Sequence, residues 1–143
     1  MHKIFIQAGV FLSVFGFYPA LAFAFDIPSC PSEIKVEQKA HNPTQEWSFF
    51  NSDSTHPFVN IRFSEGEPSQ QIFLAPSKQE KRKGSLVDVW KFSGAASTNY
   101  WIACVYSETS VLATRKLPHG VKSCEVEYDK AFSTPVAKRF VCK

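Results

Sequence analysis

The sequence contains no C-x-x-C pair, which argues against a thioredoxin-like redox site. It has no G-x-S-x-G, no H-E-x-x-H and no phosphate-binding glycine loop, so the common motif-bearing hydrolases and nucleotide enzymes are not indicated. His41, His56 and His119 stand at no metal-ligand spacing to one another or to a cysteine, which argues against structural zinc. No N-x-[ST] acceptor occurs, because Asn42 is followed by Pro43. Neither charge sign dominates. With 16 basic and 13 acidic side chains, the balance is too even to suggest nucleic acid or an anionic membrane as partner. Long helical periodicity, internal repeats and linkers are also missing.

A leader is present. Met1-His2-Lys3 is followed by an apolar run over 4–17, then Pro19 and Ala22-Phe23-Ala24. A basic start, a short apolar stretch and an A-x-A site predict a secretory signal peptide over 1–24, cleaved after Ala24. The run is shorter than the roughly 20 residues a membrane-spanning helix needs. Cys30 lies too far beyond it to be a lipidation site. The leader carries one lysine and no acid, so the mature charge is 15 − 13 = +2. The remaining chain, 25–143, has a length that suits one domain. It is expected in the periplasm, or secreted, without a membrane anchor.

All four cysteines, Cys30, Cys104, Cys124 and Cys142, lie in the exported part. An even count in an oxidising compartment reads as two disulfides. The strongest strand signal is 100–106, apolar on both faces of a two-residue alternation. It is expected at the centre of the fold, covered on both sides. Further strands are expected near 34–39, 59–64, 86–92, 111–117, 124–129 and 138–142, with short ones at 47–50 and 72–75. Residues 51–57 read as the clearest turn, and the charged run 78–84 as a solvated hairpin tip. Eight or nine short strands predict an all-β domain, a single small antiparallel sandwich or barrel-like fold. The strands around Tyr100, Val111 and Cys124 are expected to form a meander. Cys104 and Cys124 would then lie about 9–10 Å apart, too far for a disulfide. The strands bearing Cys124 and Cys142 could pair as a hairpin. The expected bridges are therefore Cys30–Cys104 and Cys124–Cys142.

Candidate chemistry is sparse. Glu125, Glu127 and Asp129 share one strand face, read as the exposed face of an edge-side strand. Such carboxylates do not supply the two groups across a cleft that glycoside hydrolysis needs. His119 reads as an exposed turn residue. With the cysteines bridged no thiol nucleophile remains, so neither an enzyme nor a cofactor is expected. Binding through loops remains. The candidate loops are 51–57, 78–84 and 118–120. The residues expected to touch a protein partner are Asp53, His56, Lys78, Lys81, Arg82, Lys83 and His119, the basic run suiting an acidic partner. A second reading is a glycan-binding module in which Trp47 or Trp90 stacks on sugar rings. A third is a structural envelope protein.

The pattern Cys30-Pro31, Trp47, Gly66-x-Pro68, Leu74-x-Pro76, Val89-Trp90-x-Phe92, Trp101-x-x-Cys104-x-Tyr106 and Cys124-x-Val126-x-Tyr128 resembles a family of short exported bacterial proteins. Some of these are encoded among type VI secretion genes. The resemblance covers most of 30–128 and consists of core aromatics, turns and cysteines. It implies a periplasmic immunity protein that blocks a peptidoglycan-acting hydrolase or transpeptidase. The chain is also similar in size and style to periplasmic lysozyme inhibitors, which carry a Ser-Gly-x-x-Tyr loop. Here Ser93-Gly94 is followed by a tyrosine only at Tyr100, so that loop is not matched.

Overall fold

The computed structural model describes residues 24–25, 27–39, 46–50, 52–93, 97–129 and 134–143. The expected leader lies outside these residues except for Ala24, as does the segment 40–45. The strands are β1 (Glu33–Glu37), β2 (Asp53–Glu65), β3 (Lys78–Arg82), β4 (Ser85–Lys91), β5 (Tyr100–Tyr106), β6 (Leu112–Lys116), β7 (Ser123–Asp129) and β8 (Val136–Cys142). They form two antiparallel four-stranded sheets, ordered β1-β2-β5-β6 and β3-β4-β7-β8. The all-β expectation holds, in its sandwich form. No helix among the described residues is long and apolar enough to cross a membrane.

Side-chain alternation decides what meets between the sheets. Ile61, Phe63 and Ile102 from one sheet join Trp90, Cys124, Val126, Ala137 and Cys142 from the other in one buried cluster. The Phe63 ring lies 4.9 Å from that of Trp90 and 5.7 Å from that of Phe92. Trp90 donates its indole N–H to the Leu74 carbonyl at 3.0 Å, which satisfies the one polar atom it buries. Asp88 shares the inner face of β4. It is tolerated because the Gln79 amide donates to it at 2.8 Å and Tyr128 is hydrogen-bonded to it. Burial beside this carboxylate pushes the Tyr128 hydroxyl well above the ordinary tyrosine range.

Both expected disulfides are present, Cys30–Cys104 and Cys124–Cys142. The meander used to exclude Cys104–Cys124 is not. β6 pairs with β5, but β7 lies in the other sheet between β4 and β8. Cys124 stands directly opposite Cys142 on the β7–β8 ladder. Cys30 lies on a strap that precedes β1. The strap begins where the Phe25 N–H donates to the Cys142 carbonyl at 3.0 Å and ends where Ser32 accepts from the Phe58 N–H at 2.8 Å. It therefore runs from β8 of one sheet to β2 of the other.

Five further expectations are corrected. β5 is buried on its inner face, but Trp101 and Val105 on its outer face are only half-buried. Residues 47–50 are not a strand and are exposed. Residues 53–57, read as a turn, are the first half of β2, where pairing with β1 overrides the turn propensity of Asn, Ser and Pro. Residues 78–82 are an edge strand, and only Lys83 and Gly84 form the hairpin tip. Residues 72–75 contribute a single bridge, Phe73 to Ser64.

Candidate functional site

β2 is long because it serves two partners in turn. Asp53 to Pro57 pair with β1, and the ladder with β5 begins at Phe58. The β1–β2 hairpin thus extends past the end of β5 as an arm. Its outward positions Glu33, Lys35, Glu37, Asp53 and Thr55 are exposed. Both roots of the arm are fixed. On the β1 side the Cys30–Cys104 bridge ties the lead-in to the middle of β5. On the β2 side, His56 is buried, with Nδ1 2.7 Å from the Ser107 carbonyl and Nε2 2.7 Å from the Ser54 hydroxyl. Nδ1 must donate to the carbonyl, so Nε2 accepts from the serine in the neutral ring. His56 therefore anchors the arm rather than facing outward, while Asp53 sits exposed near the tip.

Beyond the arm, residues 38–52 connect β1 to β2, closed at the base by a bond from Gln38 N–H to Ser52 O. Trp47, Phe49 and Phe50 lie on this connection and are 74%, 51% and 92% exposed. Sequence reasoning favoured core packing for Trp47. The usable signal was their position: aromatics crowded against a polar run with no strand partner of their own.

The outer face of the second sheet is charged. Glu125 and Glu127 stand on an interior strand and are half-buried, not on an exposed edge-side face. Arg82 from β3 reaches Glu125, and Arg139 from β8 reaches Glu127 at 3.2 Å. Lys78 and Arg82 also both pair with Glu80. The Arg82–Glu125 and Arg139–Glu127 pairs, with Val87 and Phe140, line a concavity of about 310 Å³. The Ser85 hydroxyl and then Arg139 hold the Glu127 carboxyl below the usual range. Lys78 and then Arg82 do the same for Glu80. Two of the four cations of the expected basic patch, Lys78 and Arg82, are therefore neutralised within the face. Lys81 and Lys83 remain exposed without an ion pair among the described residues.

The remaining candidates lie apart. His119 is exposed in the β6–β7 turn, where Gly120 takes a φ of 88°. The seven expected contact residues thus fall on three elements: the arm, the β3–β4 hairpin and the β6–β7 turn. Trp90 is 5% exposed, which removes it as a sugar platform. A separate groove of about 430 Å³ is lined by Trp101 and Leu112 together with Glu67 and Ser110. No group of His, Cys, Asp or Glu among the described residues is arranged to hold a metal ion.

Residues 51–143 match the type VI secretion system Tli immunity proteins. The chain belongs to the Tli immunity family. Its expected membership of a type VI immunity group is therefore established, and a protein partner, the effector, follows from it. The matched region runs from β2 to the C-terminus and holds the whole β3-β4-β7-β8 sheet and three of the four strands of the other; the strap, β1 and the aromatic part of the connection precede it. No curated protein and no solved structure matches the chain.

Proposed function

We propose that this Tli family member is a periplasmic inhibitor. It binds a toxic effector enzyme delivered by the type VI system and obstructs its active-site cleft, performing no reaction of its own. The observation that carries this reading is the family match over 51–143. Two disulfides, with no free cysteine, support an oxidising compartment. The docking of Phe25 against the Cys142 carbonyl supports a mature chain that starts there once 1–24 are removed. The effector's substrate is one the periplasm exposes: peptidoglycan, as the resemblance implies, or membrane phospholipid.

The test uses the mature, oxidised protein to capture partners from periplasmic extract and from the products of adjacent genes. The expected result is one envelope-degrading enzyme whose murein- or phospholipid-hydrolysing activity falls on equimolar addition of the protein. Retention of glycan alone, with no protein, would replace this reading with the glycan-binding module, and Trp47 is the exposed aromatic that it would use.

A further inference from the structure

We infer that the tip of the β1–β2 arm seats in the effector, with Trp47, Phe49 and Phe50 filling an apolar recess rimmed by basic side chains. This rests on the inhibitor reading and names its contact surface. Scattered exposed apolar residues such as Ile72 and Val111 are ordinary on a protein surface. Three aromatics within four residues, more than half exposed each, are not; such patches mark interaction sites. Tryptophan in particular is enriched among the few residues that carry interface energy.

The connection that bears them is also long for a hairpin. Fifteen residues lie between Glu37 and Asp53, against two, five and six in the β3–β4, β5–β6 and β7–β8 hairpins; only the crossing from β2 to β3, with twelve, approaches it. Connections of that length in a compact domain are usually either binding loops or linkers, and the exposed aromatics fit the first. The arm beneath is held at both roots, by the Cys30–Cys104 bridge and by His56 on Ser107. A presented tip on a fixed base loses less freedom on binding than a free loop would.

Charge selects the occupant. Over 33–57 the acids Glu33, Glu37, Glu46 and Asp53 outnumber Lys35 and Lys39, and Lys39 is already paired with Glu37 at 2.8 Å. Segments that dock on anionic bilayers carry Lys and Arg instead. An acidic arm with an aromatic tip suits a protein recess with a basic rim.

The test compares the mature protein with W47S/F49S/F50S and with a control, I72S/V111S, that removes exposed apolar surface elsewhere. All five side chains are exposed, so thermal midpoints should be retained. Affinity for the captured effector is read by calorimetry, and inhibition by the effector's hydrolytic activity. The triple variant should lose at least a hundredfold in affinity and the control less than threefold. A triple variant within threefold of the parent, while the parent still inhibits, would overturn this inference and leave the inhibitor reading standing. A parent that neither binds nor inhibits an effector would overturn both. Parent sedimentation with phosphatidylglycerol vesicles, lost in the triple variant, would reassign the aromatics to a membrane and likewise overturn it.

Discussion

Loss of the Cys30–Cys104 bridge should destabilise the protein chiefly through its unfolded state. The bridge spans 74 residues of sequence and the other spans 18. On the loop-entropy relation these lengths correspond to about 4.5 and about 3.2 kcal/mol. A domain of this kind has about 5–15 kcal/mol in total, so C30A/C104A should be only marginally folded at body temperature. The two bridges differ in a second way. Cys124 and Cys142 are fully buried, so removing their sulfur atoms also leaves a cavity in the native core. Kinetics separates the contributions. A lost constraint on the unfolded chain slows folding and raises the urea m-value, while a native cavity speeds unfolding. In urea chevrons C30A/C104A should therefore show the larger fall in folding rate and little change in unfolding rate. C124A/C142A should show a smaller fall together with faster unfolding. If C30A/C104A cost less than about 2 kcal/mol with an unchanged m-value, the entropic account would be refuted.

Other perturbations follow from single contacts. H56A strands the Ser107 carbonyl and should cost about 2 kcal/mol in urea, with amide exchange accelerating first at residues 53–57. The Tyr106 hydroxyl is buried without a hydrogen-bond partner among the described residues, so Y106F should be neutral or stabilising by about 1 kcal/mol in the same assay. Because the Glu80 and Glu127 carboxyls are held low in the fold, the unfolded chain takes up protons first as pH drops through about 4.5. Thermal midpoints should decline from that pH downward, and E127Q should shallow the decline. The Tyr128 hydroxyl is held high, so a second loss should appear above about pH 10, where an unfolded tyrosine ionises, and Y128F should remove part of it.

Much of the fold is legible where alternation meets burial. β7 is read to within a residue because apolar and charged side chains alternate along it, and β5 because seven aromatic and apolar residues run unbroken. The errors have local causes. Asn-Ser-Asp-Ser-Thr-His-Pro has turn composition, yet residues 53–57 find a ladder partner in β1, a non-local fact. Residues 47–50 have high strand propensity but no partner, and propensity without a partner is not a strand. The 78–82 run looked too charged for a sheet, although charge on an edge strand is how sheets avoid unwanted pairing. The Pro118-His119-Gly120 turn could equally begin a hairpin or carry the chain to the opposite sheet, and it does the latter. Cys104 and Cys124 are indeed unbridged to each other, but the neighbour relation behind that expectation does not exist. The arm was invisible for a related reason. Asp53 and His56 draw notice as turn residues, while 47–50 reads as a short strand with Trp47 in the core, because exposure cannot be seen in residue type.

The placement of the bridges leaves a question that Phe63 can answer. Cys124–Cys142 joins two strands of one sheet, and Cys30–Cys104 ties the strap to β5 of the other. Neither crosses directly from strand to strand between the sheets. Cohesion across the sandwich must then come from the aromatic layer in which Phe63 on β2 meets Trp90 and Phe92, and Phe92 in turn meets Tyr100 at 4.5 Å. Phe63 is fully buried, so F63A should cost about 3–5 kcal/mol, comparable to losing the longer bridge. F63L keeps most of the volume and should cost about 1 kcal/mol. Both are measured by urea unfolding with the disulfides intact. The expected kinetic signature is faster unfolding, opposite to that of C30A/C104A, since the contact exists only in the native state. A cost for F63A below about 1.5 kcal/mol would mean that the strap from β8 to β2, not the aromatic layer, holds the two sheets together.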